Sequence, residues 1–127
     1  MGWNFKNAQI KLKRDGLIGE GDIILKGRHI RSKWWTFPGF AVLKENGFIF
    51  VYTHMEDWAE IEEGDIENLV LTPKGKKVFI EFIWLFRGRE KVKFGLKLGD
   101  NDLSSIANKF ESFNKKLNNY SLRSNIS

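Results

Sequence analysis

Apolar and polar positions alternate between Lys76 and Leu98. In the second half of this stretch Val92, Phe94, Leu96 and Leu98 fall on one side, and Lys91, Lys93 and Lys97 on the other. A period of two marks a half-buried strand, because successive side chains leave opposite faces. The first half is β-branched and aromatic, with Val78, Ile80, Phe82, Trp84 and Phe86 on one side. A three-residue loop at Arg87-Gly88-Arg89 sets Trp84 opposite Val92, Phe82 opposite Phe94, Ile80 opposite Leu96 and Val78 opposite Leu98. A two-residue loop slips the register by one and lays those side chains against lysines, so three is expected.

Upstream, 22–30 reads as a strand with Ile23 and Leu25 facing one way and Ile24, Lys26 and Arg28 the other. The basic and then aromatic segment 31–38 follows, ended as a turn by Pro38-Gly39. Strands are expected at 40–44 and 48–53, joined by Glu45-Asn46-Gly47, a strong hairpin signal. Two shorter strands, 58–62 and 66–71, flank Glu63-Gly64, and Thr72-Pro73-Lys74-Gly75 is the next turn. After Leu98 the period lengthens. Leu103, Ile106, Ala107, Phe110, Phe113 and Leu117 follow the i, i+3, i+4, i+7 spacing of an amphipathic helix, with Asp100 or Asp102 as its cap and Lys115 and Lys116 near its end. Residues 1–20 are weakly patterned. Trp3, Phe5, Ile10 and Leu12 are scattered among basic and amide residues, which predicts an added strand or a strap over the sheet.

Short connections make neighbours antiparallel. The expected fold is mainly β: about seven antiparallel strands in a curved sheet or partly open barrel, capped by one C-terminal amphipathic helix. The expected organisation is an extension at 1–18 that packs on or extends the sheet, a domain at 19–118 and a flexible tail at 119–127.

A length of 127 residues suits one domain with a real core. Lysine and arginine exceed aspartate and glutamate by 21 to 16, a net charge of +5 that favours nucleic acid, anionic lipid or an acidic protein as partner. The absence of cysteine excludes a disulfide framework and thiolate chemistry, and fits a reducing compartment. The start, Met1 to Lys6, lacks the apolar core of a signal peptide, and Lys6 breaks a myristoylation signal. No apolar run approaches the ~18 residues of a membrane span. A cytoplasmic protein is expected, peripheral at the membrane where it binds lipid.

Three stretches carry a family likeness: Gly19-Glu20-Gly21-Asp22-Ile23-Ile24-Leu25, then Gly39-Phe40-Ala41-Val42-Leu43-Lys44 with Gly47-Phe48-Ile49-Phe50-Val51, then Ile61-Glu62-Glu63-Gly64-Asp65-Ile66-Glu67-Asn68-Leu69. Together they resemble the pleckstrin-homology superfold, in its GRAM and bacterial PH-like branch, over 19–117. The chain departs from that pattern at Lys44-Glu45-Asn46, in the Trp34-Trp35 pair and in its first twenty residues. The resemblance implies a cofactor-free, non-enzymatic module that binds lipids, peptides or proteins; fold alone does not choose among these.

The sharpest binding candidate is Lys26, Arg28, Arg31, Lys33, Trp34, Trp35 and Phe37. Cations at alternate strand positions converge on phosphate, and tryptophans sit at a membrane interface. The PH resemblance puts these residues in the first loop and its flanking strands, where phosphoinositide-binding members carry their basic residues. The plainer reading makes the tryptophans and Phe37 core or strand residues and the cations solvated. Phe79, Ile83 and Leu85 are apolar on the lysine-bearing side of their strand. The expected cover is the N-terminal segment, through Trp3, Phe5 or Ile10; the alternative is an association patch for a protein partner or a homo-oligomer.

The acids from Glu56 to Glu67 read as a solvated face, since calcium needs oxygens converging on one loop. Two histidines, His29 and His54, are too few for a metal site, and no Gly-x-Ser-x-Gly supports a nucleophile. Lys74, Lys76, Lys77, Arg87, Arg89, Lys91, Lys93 and Lys97 raise nucleic acid, but the hairpin's aromatics face away from its lysines, and the last helix is nearly charge-balanced. The expected function is a non-catalytic adaptor that contacts a protein partner or an anionic membrane through the 26–37 stretch. The alternatives are a nucleic-acid binder using the basic sheet and a self-associating structural domain. No catalytic residue, metal or cofactor is expected.

Overall fold

Alternation along the strands builds a sheet with an apolar layer on each side. A computed structural model describes residues 4–44, 47–86, 88–114 and 121–122. In chain order they form α1 (Phe5–Arg14), β1 (Ile23–Ile30), β2 (Thr36–Lys44), β3 (Gly47–Tyr52), β4 (Asp57–Glu62), a 3-10 turn at Glu63–Asp65, β5 (Ile66–Lys74), β6 (Lys77–Trp84), β7 (Glu90–Lys97), α2 (Leu103–Asn114) and β8 (Ser121–Leu122). The spatial order is β4-β3-β2-β1-β7-β6-β5-β8. Seven antiparallel strands curl into a half-barrel, as expected. The eighth, two residues long, runs parallel to β5 at Val70 and Leu71. It lies within the stretch expected to be a flexible tail; the rest of 119–127 falls outside the described residues.

The concave side holds the larger core. Leu25, Phe48, Phe50, Leu71, Ile80, Phe82 and Phe94 meet there. Fully burying each phenylalanine contributes roughly 1.5–3 kcal/mol. Phe94 is the hub, its ring centroid 4.7 Å from that of Phe50 and 5.7 Å from that of Phe48. Helix α2 closes this side with Ile106 and Phe110, the Phe110 ring 5.8 Å from Phe48. Asp102 caps it, accepting the Ser105 N–H at 2.7 Å. That hydrogen bond holds the Asp102 carboxyl below the usual carboxylate range. The expected contributions of the Phe113 side chain, Lys115, Lys116 and Leu117 fall outside the described residues.

The convex side has its own cover, and here the sequence reading is corrected. The N-terminal segment is a helix rather than a strand or strap. Asn4 caps it, accepting the Asn7 N–H at 2.7 Å, and Lys11, Lys13 and Arg14 suit the negative end of its dipole. Phe5, Ala8 and Leu12 form its apolar stripe and pack on Phe40, Val42, Ile49 and Val51 of β2 and β3. Ile10 lies off the stripe and is exposed.

Three further expectations change. Pro38-Gly39 is not a turn: β2 runs straight through it. Arg28 of β1 pairs with Pro38, but pairing with β3 begins only at Gly39, opposite Tyr52, so at Pro38 the β3 side of the strand is open and tolerates a missing N–H. Gly39 is required by crowding, since a Cβ there would collide with the Val51 carbonyl oxygen. Thr72-Pro73-Lys74 likewise stays in β5, and the turn is Gly75-Lys76, with Gly75 at φ 63°. The organising hairpin keeps its faces but shifts its register by two: Phe82 opposes Val92, Ile80 opposes Phe94 and Val78 opposes Leu96. The loop is five residues, 85–89, and Phe86 belongs to it, exposed and stacked on Trp84 at 5.3 Å. Glu45, Asn46 and Arg87 fall outside the described residues.

Candidate functional site

Strands β1 and β2 pair without interruption from Ile23↔Leu43 to Ile30↔Thr36. Arg31 to Trp35 must therefore reverse the chain in five residues. Their backbone does so around Ser32. The Arg31 and Ser32 N–H groups donate to the Trp35 carbonyl at 3.0 and 3.1 Å, and Ser32 Oγ accepts the Trp34 and Trp35 N–H groups at 3.3 and 3.1 Å. Both indoles stand in water at this turn: Trp34 is 87% exposed and Trp35 67%. The plainer reading therefore fails for the tryptophans, which lie in neither core nor strand, and holds for Phe37 in β2 and for the solvated cations.

Cations flank the pair. Lys33 Nζ lies 5.4 Å from the centre of the Trp34 ring. Arg31 reaches Glu90 at 3.8 Å, an exposed ion pair worth little. Arg28 donates to Thr36 Oγ1 at 3.0 Å. Arg31, Lys33, Trp34 and Trp35 thus share the loop, with Arg28 just behind it.

The other two members of the expected constellation lie elsewhere. Phe37 is half-buried on the concave side, in an aromatic box with His29, Tyr52 and Phe94. There His29 Nδ1 and the Tyr52 hydroxyl are 2.7 Å apart. Burial, and then the Arg31 charge, hold the His29 imidazole below its ordinary range against the pull of Glu90. Burial pushes the Tyr52 hydroxyl up to about 12. Lys26 points to the convex side, its Nζ 4.3 Å from the centre of the Phe5 ring.

Phe79 and Ile83 are half-buried on the convex side of β6, and Leu85 lies in the loop beyond it, its N–H donating to the Asp65 carbonyl at 2.8 Å. Helix α1 sits over β2 and β3, so the expected cover is incomplete. Among its described residues Phe5 lines a cleft of about 310 Å³ together with Phe79, Lys26, Arg28, Lys77 and Lys97. Trp3 falls outside the described residues.

The acids disperse into local roles. Glu62 and Asp65 cap the 3-10 turn, Glu67 pairs with Arg89, and Glu60 Oε1 accepts the Trp58 indole N–H at 3.4 Å. His54 is exposed. Sequence reasoning missed Tyr52 as the partner of His29, and missed the alignment of Lys74, Lys77 and Lys97, which only the correct register reveals. Among the described residues no helix is long and apolar enough to cross a membrane.

No protein-family model and no curated protein matches the chain. Among solved structures it is similar to the C-terminal domain of an unknown protein from Leishmania infantum. The TM-score is 0.56 and the identity 12%, over 88% of this chain and 100% of that one. The likeness is one of fold: a curled antiparallel sheet with a C-terminal helix.

Proposed function

We propose that this is a non-catalytic binding module of pleckstrin-homology type, and that it docks on anionic membrane surfaces through the β1–β2 loop. The observation that carries the reading is the adjacent pair Trp34 and Trp35, 87% and 67% exposed at a tightly bonded tip. Adjacent exposed indoles form an apolar patch of the kind that marks a contact, and the membrane interface is where tryptophan is enriched. Arg28, Arg31 and Lys33 surround them, and each cation near an anionic leaflet contributes roughly 1 kcal/mol. The PH assignment is supported by the sequence patterns at 19–25, 39–51 and 61–69 and by the helix that closes the curled sheet.

Sedimentation with vesicles of phosphatidylcholine, with and without phosphatidylserine, tests the reading. Binding is expected only with phosphatidylserine, together with a blue shift of tryptophan emission. Trp34→Ala/Trp35→Ala should abolish the shift, and Arg31→Ala/Lys33→Ala should weaken binding on the order of tenfold. No binding to anionic vesicles, or binding unchanged in both variants, would remove the proposal.

A further inference from the structure

Four lysines stand in file across the convex side of the sheet. Lys74 opposes Lys77 in the β5–β6 ladder, and Lys77 opposes Lys97 in the β6–β7 ladder. Strand β1 pairs with β7 at Gly27↔Leu96, so the next register step sets Lys26 beside Lys97. All four are exposed, and their sequence neighbours Leu25, Val78 and Leu96 point into the concave core. With strands ~4.8 Å apart, the file is about 14 Å long. Like charges directly opposite one another destabilise an antiparallel pair. Among the described residues no carboxylate lies within 4 Å of these four ammonium groups. Among the described residues only the Phe5 ring beneath Lys26 offsets this like-charge file, whose repulsion a linear polyanion would relieve.

The cleft lies alongside this file. Lys26, Lys77 and Lys97 line it, with Arg28 as a further cation, and none of its lining residues is acidic. Phe79 lies in the cleft beside Gly95, its register partner. A Cβ at position 95 would sit 3.1 Å from the Phe79 ring and 3.3 Å from Ile30 Cδ1, so the glycine keeps that floor flat. Phe5 is a second ring in the same cleft.

We propose that this face binds single-stranded nucleic acid, with successive phosphates on Lys26, Lys97, Lys77 and Lys74 and a base against Phe79. Cations repeated in line suit a repeated anion rather than a single one. An aromatic face beside a basic track suits a ligand carrying flat rings between its charges, the recipe of sequence-tolerant single-strand binding. Inorganic polyphosphate would use the lysines and leave the ring idle. The lysine file is distinct from the tip of the membrane-docking loop, Lys26 preceding Arg31 by five residues, roughly 16 Å along the strand, while Arg28 lies between and borders both.

The test is fluorescence anisotropy of a labelled oligouridylate with the full chain, titrated with salt. Four neutralised phosphates give a slope of log affinity against log salt of about −2.8, and Lys77→Ala/Lys97→Ala should bring it to about −1.4 and weaken low-salt binding at least tenfold. Phe79→Leu should keep the wild-type slope and lose about tenfold. Arg31→Ala/Lys33→Ala, which tests the membrane reading, should leave the isotherm unchanged. Three outcomes would overturn the proposal: no binding at low salt, a wild-type slope in the double-lysine variant, or unaltered affinity in Phe79→Leu with polyphosphate competing as well as oligouridylate. Thermal melts accompany each variant, and removing the facing lysines is expected to leave the melting temperature unchanged or higher.

Discussion

His29 and Tyr52 reach across β2 to one another, the imidazole Nδ1 and the phenol oxygen 2.7 Å apart in a box completed by Phe37 and Phe94. The sign of the resulting pH dependence follows from the histidine. Its folded-state pKa is lowered, by burial first and by Arg31 second. Below the ordinary value of about 6.5, the unfolded chain therefore takes up a proton that the folded chain resists, and stability falls as pH drops through that value. Melting temperature should decrease from pH 7.5 to pH 5.5, and His29→Gln should decrease less over the same interval. Parallel curves would show that the histidine is not the titrating group.

Tyr52 titrates at the other end of the scale. Burial raises its hydroxyl to about 12, so the neutral phenol is favoured in the folded state, and the associated stability is lost as pH rises from about 10 towards 12. Absorbance at the phenolate band should show a late-ionising tyrosine in the wild type that is missing from Tyr52→Phe.

Phe94 packs against Phe48, Phe50, Phe82 and His29 and is 1% exposed, so Phe94→Ala should cost about 3–5 kcal/mol in denaturant unfolding. Trp34→Ala and Trp35→Ala should each stay within about 0.5 kcal/mol of wild type, because both indoles are already in water. The contrast separates residues that hold the fold from residues that serve a contact.

Gly39→Ala should destabilise by about 3 kcal/mol, the upper end of overpacking costs, since the new methyl would meet the Val51 carbonyl rather than a movable side chain. Gly64→Ala, with open space around its Cα, serves as the control, and its unfolding midpoint should match the wild type.

Period-two alternation in β1, β6 and β7 was strong enough to assign faces correctly, and the i, i+3, i+4, i+7 series found α2. The misses have local causes. In α1 the apolar stripe is Phe5, Ala8 and Leu12; counting Ile10 and passing over small Ala8 hid a helical period. In the β6–β7 hairpin the alternating pattern fixes parity but not register, and slips of two are invisible to it. Pro38-Gly39 has turn composition, yet β1 pairs with both residues and β3 pairing begins only at Gly39, so the proline sits in good strand. The basic and aromatic residues at 26–37 were legible as a candidate, but their division among loop tip, aromatic box and convex cleft needed the pleat and the third dimension.

Because α1 covers the back of β2 while the barrel core covers its front, Phe40, Ala41, Val42 and Leu43 are all sealed from solvent. The chain's opening segment is thus the lid of a second hydrophobic compartment. Losing it to proteolysis or truncation would bare Phe40, Val42, Ile49 and Val51 together, turning a hidden seam into an adhesive strip.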